Sequence, residues 1–151
     1  MLAQLFTSFV ATSGFGVIFN VPKKALIQCG FVGMVGWAIY FYMVEQQIDS
    51  VPASFVAAFF ISIISHIFAK RYKTPVIIFT VAGIIPLVPG GLAYETMRNF
   101  VVNDYNMGIQ LATKVLLIAG AIAMGIVFSE VFNQIFRRSL NKIAKIKRPK
   151  S

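Results

Sequence analysis

The sequence predicts an all-α integral membrane protein with five transmembrane helices, the fourth broken at a Pro/Gly link. Three observations lead there. Of the 151 residues 58% are hydrophobic and 13% charged, at a mean hydropathy of +0.77, more apolar surface than one soluble core of this size can hide. Several apolar runs approach the roughly 20 residues that cross a bilayer. The cations gather in short clusters between those runs rather than over a surface.

The first span is expected over Leu2 to Phe19, closed by Asn20-Val21-Pro22-Lys23-Lys24. It lacks the basic leader of a secretory signal, so it reads as a retained helix. The second runs from Ala25 to Val44 and ends at Glu45 and Asp49. The third covers Val51 to Ala69, with Pro52 tolerated in its first turn, and closes at Lys70-Arg71-Tyr72-Lys73. A fifth follows from Gly108 to Val131 after a polar connector, Arg98 to Asn106.

Between them lies IIPLVPGGLAYE, Ile84 to Glu95. Its prolines withhold backbone donors and its glycines loosen the chain. From Val76 to Leu87 a helix would reach only about 18 Å, short of a hydrocarbon core of about 30 Å. The fourth crossing is therefore expected in two pieces, Val76 to Leu87 and Leu92 to Val102, joined by an unwound link. Such a link is tolerated at depth where protein or a watered cavity satisfies it.

Charge placement sets the orientation. Lys23 and Lys24 follow span one, Lys70, Arg71 and Lys73 follow span three, and a basic tail follows span five. Five crossings with the N-terminus outside and the C-terminus inside put all three clusters in the cytoplasm. The chain divides into a membrane domain, residues 1–136, and a basic tail, residues 137–151. Leu140, Ile143 and Ile146 alternate with cations in the tail, the pattern of a segment lying on an anionic inner leaflet.

The net charge of +9 is thus explained without nucleic acid, which is not an expected partner. Cys29 is the only cysteine and His66 the only histidine, so neither a disulfide within the chain nor a metal site is expected. No nucleophile–base set or phosphate-binding loop is present. The expectation is no enzyme and no cofactor.

The residues Phe19, Asn20, Val21 and Pro22, then Phe79 through Gly90 with the Pro86-x-x-Pro89-Gly90 element, Tyr94 and Met97, resemble the threonine/serine exporter (ThrE-type) family. The likeness is to its small YjjB-like membrane subunit and runs from about Gly14 to Arg138. It implies ion-driven export of threonine and serine, or of a dicarboxylate such as succinate, across the cell membrane. It also implies a larger YjjP-like membrane partner. A non-transporting scaffold subunit and a homo-oligomeric channel are the alternative readings.

Candidate pathway residues follow from the break and the resemblance. Thr80 lies on the approach, Pro86, Pro89, Gly90 and Gly91 form the link, and Tyr94 and Glu95 sit one turn beyond. Lys114, two turns into span five, either snorkels outward or pairs with Glu95. Arg98, three residues after Glu95, is a competing partner. Glu95 and His66 are candidates for proton coupling, with a hydrogen-bonded interface histidine as the plainer role for His66. Glu130 is expected to pair near Arg137 and Arg138. Phe19, Asn20 and Pro22 carry the family motif, Asn20 as a helix-end cap. Gly30, Gly33 and Gly36, and Ala121 with Gly125, form small stripes suited to close helix packing.

The orientation has a direct test. With Cys29 replaced by Ser, single cysteines at Gln47 and Asn103 should label with an impermeant maleimide in intact cells. Those at Lys24 and Lys73 should label only after permeabilisation, and the reverse pattern would overturn the topology.

Overall fold

The computed structural model describes residues 2–146, with side chains through residue 136. Its helices are α1 (Leu2–Ile18), α2 (Lys23–Glu45), α3 (Ser50–Tyr72), α4 (Val76–Ile84), α5 (Gly90–Val101) and α6 (Tyr105–Ile146). A 3₁₀ turn, Ile85–Leu87, follows α4 directly. α6 is one helix of 42 residues, so the fifth apolar segment continues without a backbone break into the expected tail. The amphipathic character assigned to that tail lies outside the described side chains.

By length and composition three helices can cross a membrane: α2, α3 and the Tyr105–Phe136 part of α6. The broken pair Val76–Leu87 and Gly90–Val101, bent by 52°, makes a fourth if it crosses as one span. α1 is apolar but 17 residues long, about 26 Å at 1.5 Å per residue.

Helix ends follow local chemistry. The carboxylate of Asp49 accepts from the Val51 N–H at 2.9 Å at the start of α3, and that of Asp104 accepts from the Met107 N–H at 3.2 Å at the start of α6, each filling an orphan donor. Pro22, Pro75 and Pro89 occupy the residue before α2, α4 and α5. Four connections turn through a left-handed residue that is not glycine: Asn20, Gln47, Lys73 and Asn103, with φ between 53° and 64°. At Asn20 the Val21 N–H bonds the Gly16 carbonyl at 2.9 Å and the Asn20 N–H bonds Val17 at 3.0 Å. That double bond closes α1 and gives Asn20 its expected capping role, through its backbone.

None of the glycines has positive φ, and several serve helix contacts instead. A side chain at Gly30 would strike Phe9 and Ser13, and one at Gly33 would strike Thr12, all on α1. Gly36 receives Ile61 of α3, and Gly83 of α4 receives Val32 and Ile61. The expected stripe on α2 thus serves two neighbours rather than one. Gly125 lets α6 touch the backbone of α3, since a Cβ there would lie 2.6 Å from the Phe55 carbonyl oxygen and 3.1 Å from the Phe59 nitrogen.

Two apolar clusters form the core. One joins Val32, Ala57, Ala58, Ile61, Leu87, Ile118 and Ile122. The other joins Val21, Ala25, Cys29, Ala69, Phe79 and Ala82, and gives Cys29 the packing role expected of it. Phe31 meets Phe68 and Gln28 Nε2 donates to the Tyr72 hydroxyl, so α2 and α3 run antiparallel. Phe55 meets Phe128 and Phe59 meets Phe132, so α3 and α6 run parallel. The segment between them must therefore carry the chain back to the side where α3 began.

Gly125→Ala should destabilise the protein by about 1–3 kcal/mol, because a methyl facing fixed backbone overpacks the crossing. Thermal unfolding of the purified chain in detergent measures it, and an unchanged midpoint would mean that α3 and α6 are not in backbone contact.

Candidate functional site

The break is built stepwise. Pro86 sits in the 3₁₀ turn, where the Val88 N–H still reaches Ile85 O at 3.2 Å. Val88 is extended, Pro89 precedes α5, and the Gly90 N–H turns back to Val88 O at 2.8 Å. The first turn-spanning bond of α5 runs from Ala93 N–H to Pro89 O at 3.0 Å, and no side chain caps the helix. The first-turn N–H groups of Gly91 and Leu92 are left for a partner outside the helix. A Cβ at Gly90 or Gly91 would meet nothing within 4 Å. With negative φ as well, these glycines are required neither by turn geometry nor by packing within this chain.

A cavity of about 240 Å³ opens at this point, lined by Pro86, Pro89, Gly90 and Gly91 and faced by Trp37 and Tyr40 of α2 and Ile118 of α6. The indole Nε1–H of Trp37 is buried with no hydrogen-bond partner. The ring lies 5.4 Å from that of Tyr40. Trp37 and Tyr40 were not among the sequence candidates. Their signal was faint: the only tryptophan of the chain, with a tyrosine one helical turn later. Tyr40 precedes the end of α2 by five residues, about 8 Å of helix, so the break sits beside the body of α2 and not at its terminus.

The other candidates are dispersed. Thr80 is buried one and a half turns before the break and donates to the Val76 carbonyl of its own helix at 3.2 Å, the self-bonding a hydroxyl adopts inside an apolar bundle. α5 leaves the bundle and packs against α6. Tyr94 is 70% exposed and Glu95 is exposed on its outer side. Lys114 is exposed too, as the snorkelling reading expects. Among the described residues neither Arg98 nor Lys114 forms an ion pair with Glu95. Phe19 is exposed with its ring tilted at 6.4 Å from that of Phe15, and Pro22 is the residue before α2. The motif around them is a structural corner.

A larger cavity lies elsewhere. About 620 Å³ opens between α3, the start of α4 and α6, lined among others by His66, Lys70, Thr74, Asn133 and Phe136. His66 Nε2 lies 3.3 Å from Glu130 Oε2. Glu130 thus meets a histidine across the helix interface; the side chains of Arg137 and Arg138, its expected partners, lie outside the described residues.

A multi-helix apolar chain with a broken helix beside a cavity, its free N–H groups lying at the link, is an arrangement that membrane carriers use. The chain matches the model of the family described as "Threonine/Serine exporter, ThrE" over residues 4–132. It belongs to that family, and with it among multi-pass membrane transport proteins. An uncharacterized protein of Haemophilus influenzae is 32% identical over 101 residues, covering 67% of this chain and 34% of that protein. The alignment thus spans about a third of that relative's length. No solved structure matches.

Glu95 and Lys114 should act independently. The changes in unfolding midpoint of Glu95→Gln and Lys114→Gln should add in the double variant, as for residues without a shared contact. A double variant that departs clearly from the sum would show a pairing between them.

Proposed function

We propose that this chain is the membrane subunit of a two-component secondary exporter of small hydrophilic metabolites in the cell membrane. Threonine and serine are the expected cargo, with a dicarboxylate such as succinate as the other class. A larger YjjP-like membrane subunit completes the pathway. The observation that carries the reading is the cavity at the break: the uncapped first turn of α5 and the unpaired indole N–H of Trp37 gather donors beside a small void. Donors and a helix N-terminus suit a carboxylate, the group common to both cargo classes. In this reading α1 supplies the fifth crossing, with the N-terminus outside and the C-terminus inside.

A second subunit is favoured by the exposure of α5. Tyr94, Met97 and Val101 present apolar surface outward, while Glu95 stands on the same short helix. A partner half packed there would turn the outer face of α5 into a pathway wall, bringing Tyr94 and Glu95 to the cargo. The relative of which the aligned residues are only a third is consistent with additional protein beside this unit. A scaffold role or a self-assembled channel would leave the donors at the break without a use.

Efflux of radiolabelled serine, threonine and succinate tests this, from cells expressing the chain alone, the larger subunit alone, or both. Efflux should require both. Gly90→Ala and Gly91→Ala should abolish most of it while leaving stability equal or raised by up to about 1 kcal/mol, since alanine favours helix over glycine. Efflux by the chain alone would overturn the two-component reading, and full activity in both glycine variants would remove the break from the pathway.

A further inference from the structure

We propose that His66 and Glu130 are a proton-binding site, a clasp that holds α3 against α6 and sets the width of the cavity between them. The inference depends neither on the cargo nor on the partner suggested above, because its readout is the cavity itself.

The two groups stand close together but short of hydrogen-bond alignment. His66 Nε2 and Glu130 Oε2 are 3.3 Å apart, yet Nε2 is buried and has no bond of hydrogen-bonding geometry. The histidine side chain is 14% exposed and the glutamate 53%, so the carboxylate has access to solvent while the ring does not. A buried nitrogen without a partner is unfavourable. A proton taken up on Nε2 makes the ring a cation beside the carboxylate, and a small turn of the half-exposed Glu130 side chain completes a charge-assisted hydrogen bond. Its loss returns the ring to the neutral form and leaves the carboxylate to water. Histidine is the side chain that changes charge between about pH 5 and 8, so the clasp closes on acidification and opens as pH rises.

The place of the pair gives that change a mechanical effect. α3 and α6 touch backbone to side at Gly125, against Phe55 and Phe59. Glu130 stands five residues further along α6, about 8 Å from that crossing. The 620 Å³ cavity lies alongside it, with Ile63, Ile67 and Lys70 on the α3 wall and Phe132, Asn133 and Phe136 on the α6 wall. Gly125 is therefore a fulcrum, the clasp lies on the arm, and the cavity is where the arm swings. Among the described residues His66 and Lys70 are the titratable groups lining the cavity, and the α4 residue at its edge, Val76, brings none. Lys70, one turn from His66 on the same helix, opposes the charged ring, and Glu130 offsets it.

The test places a nitroxide at Asn133→Cys in the full chain, reconstituted in lipid nanodiscs with Cys29 replaced by Ser. Its collision rate with a water-soluble nickel chelate reports the opening of the cavity and does not depend on thiol ionisation. Between about pH 5.5 and about pH 8 the rate should rise twofold or more, as a two-state population shift requires. The response should vanish in His66→Gln and in Glu130→Gln. His66→Lys, charged at both pH values, should keep the low rate throughout, a result that a merely space-filling histidine would not give. Monodisperse elution of each variant establishes folding, and Glu130→Gln, at a half-exposed position, carries the test if His66→Gln fails there. A flat wild-type response, or one retained in Glu130→Gln, would overturn the clasp.

Discussion

Hydrocarbon offers a peptide group nothing to bond, and this constraint shapes the molecule. Within an apolar layer each N–H and C=O must find a partner in the chain, so an interrupted helix is tolerated only where protein or trapped water covers the interruption. α4 stops at Ile84 and is followed by a 3₁₀ turn, an extended residue and an uncapped helix start. α2 covers that sequence with Trp37 and Tyr40, and α6 with Ile118. The core cluster that includes Leu87, Ile61 and Val32 anchors the turn beneath. Prolines and glycines made the break unavoidable, and the neighbouring helices make it stable.

Close packing follows from the same economy of polar groups. With few side chains to bond across helices, the bundle is held by shape. Its glycines are spent where Thr12, Ile61 and the Phe55 carbonyl must approach another helix. The turns then fall to Asn20, Gln47, Lys73 and Asn103, which accept the left-handed conformation at a cost of about 1–2 kcal/mol each for a residue with a Cβ. The added backbone bonds of the closing motif offset part of that cost. Four buried hydroxyls follow the rule too, Ser54, Ser65, Thr80 and Thr96 each donating to the carbonyl four residues earlier, while those of Thr12 and Ser129 stand without a partner.

This division explains what could be read from the chain. Helix positions were legible because each apolar run ends at charge or proline, and the observed bounds lie within a few residues of those expected for the first four segments. The 42-residue length of α6 was not, since the tail keeps helical spacing while its composition turns basic. The break was legible from Pro86, Pro89, Gly90 and Gly91. Its opposite wall was not, because Trp37 and Tyr40 sit in an unremarkable apolar run and meet the link only through the packing of α2 beside α4. Likewise His66 and Glu130 are 64 residues apart by their numbers. Their meeting depends on α3 and α6 running parallel, a relation that rests on how the intervening segment crosses. The exposure of Tyr94 and Glu95 was also beyond sequence patterning, which gives a face of α5 but not what that face meets.

The two cavities gain meaning from their positions along α4. One opens at Thr74, Pro75 and Val76, where the helix starts, and the other at Pro86 to Leu92, just past its end. Between them the helix passes Phe79 and Ala82, both fully buried, with Val32 and Ile61 of the neighbouring helices equally sealed. Among the described residues these side chains fill the space along α4 between the two cavities. A carrier differs from a channel in exposing its site to one side at a time, since a pathway open throughout would dissipate any gradient. The tight contacts that close the middle, Gly83 against Val32 and Ile61, leave little space for a side chain to move aside. Passage of a solute along this route would therefore require helices to shift as bodies. The break after Leu87, which lines the smaller cavity, is where the backbone is interrupted and such a shift can be taken up.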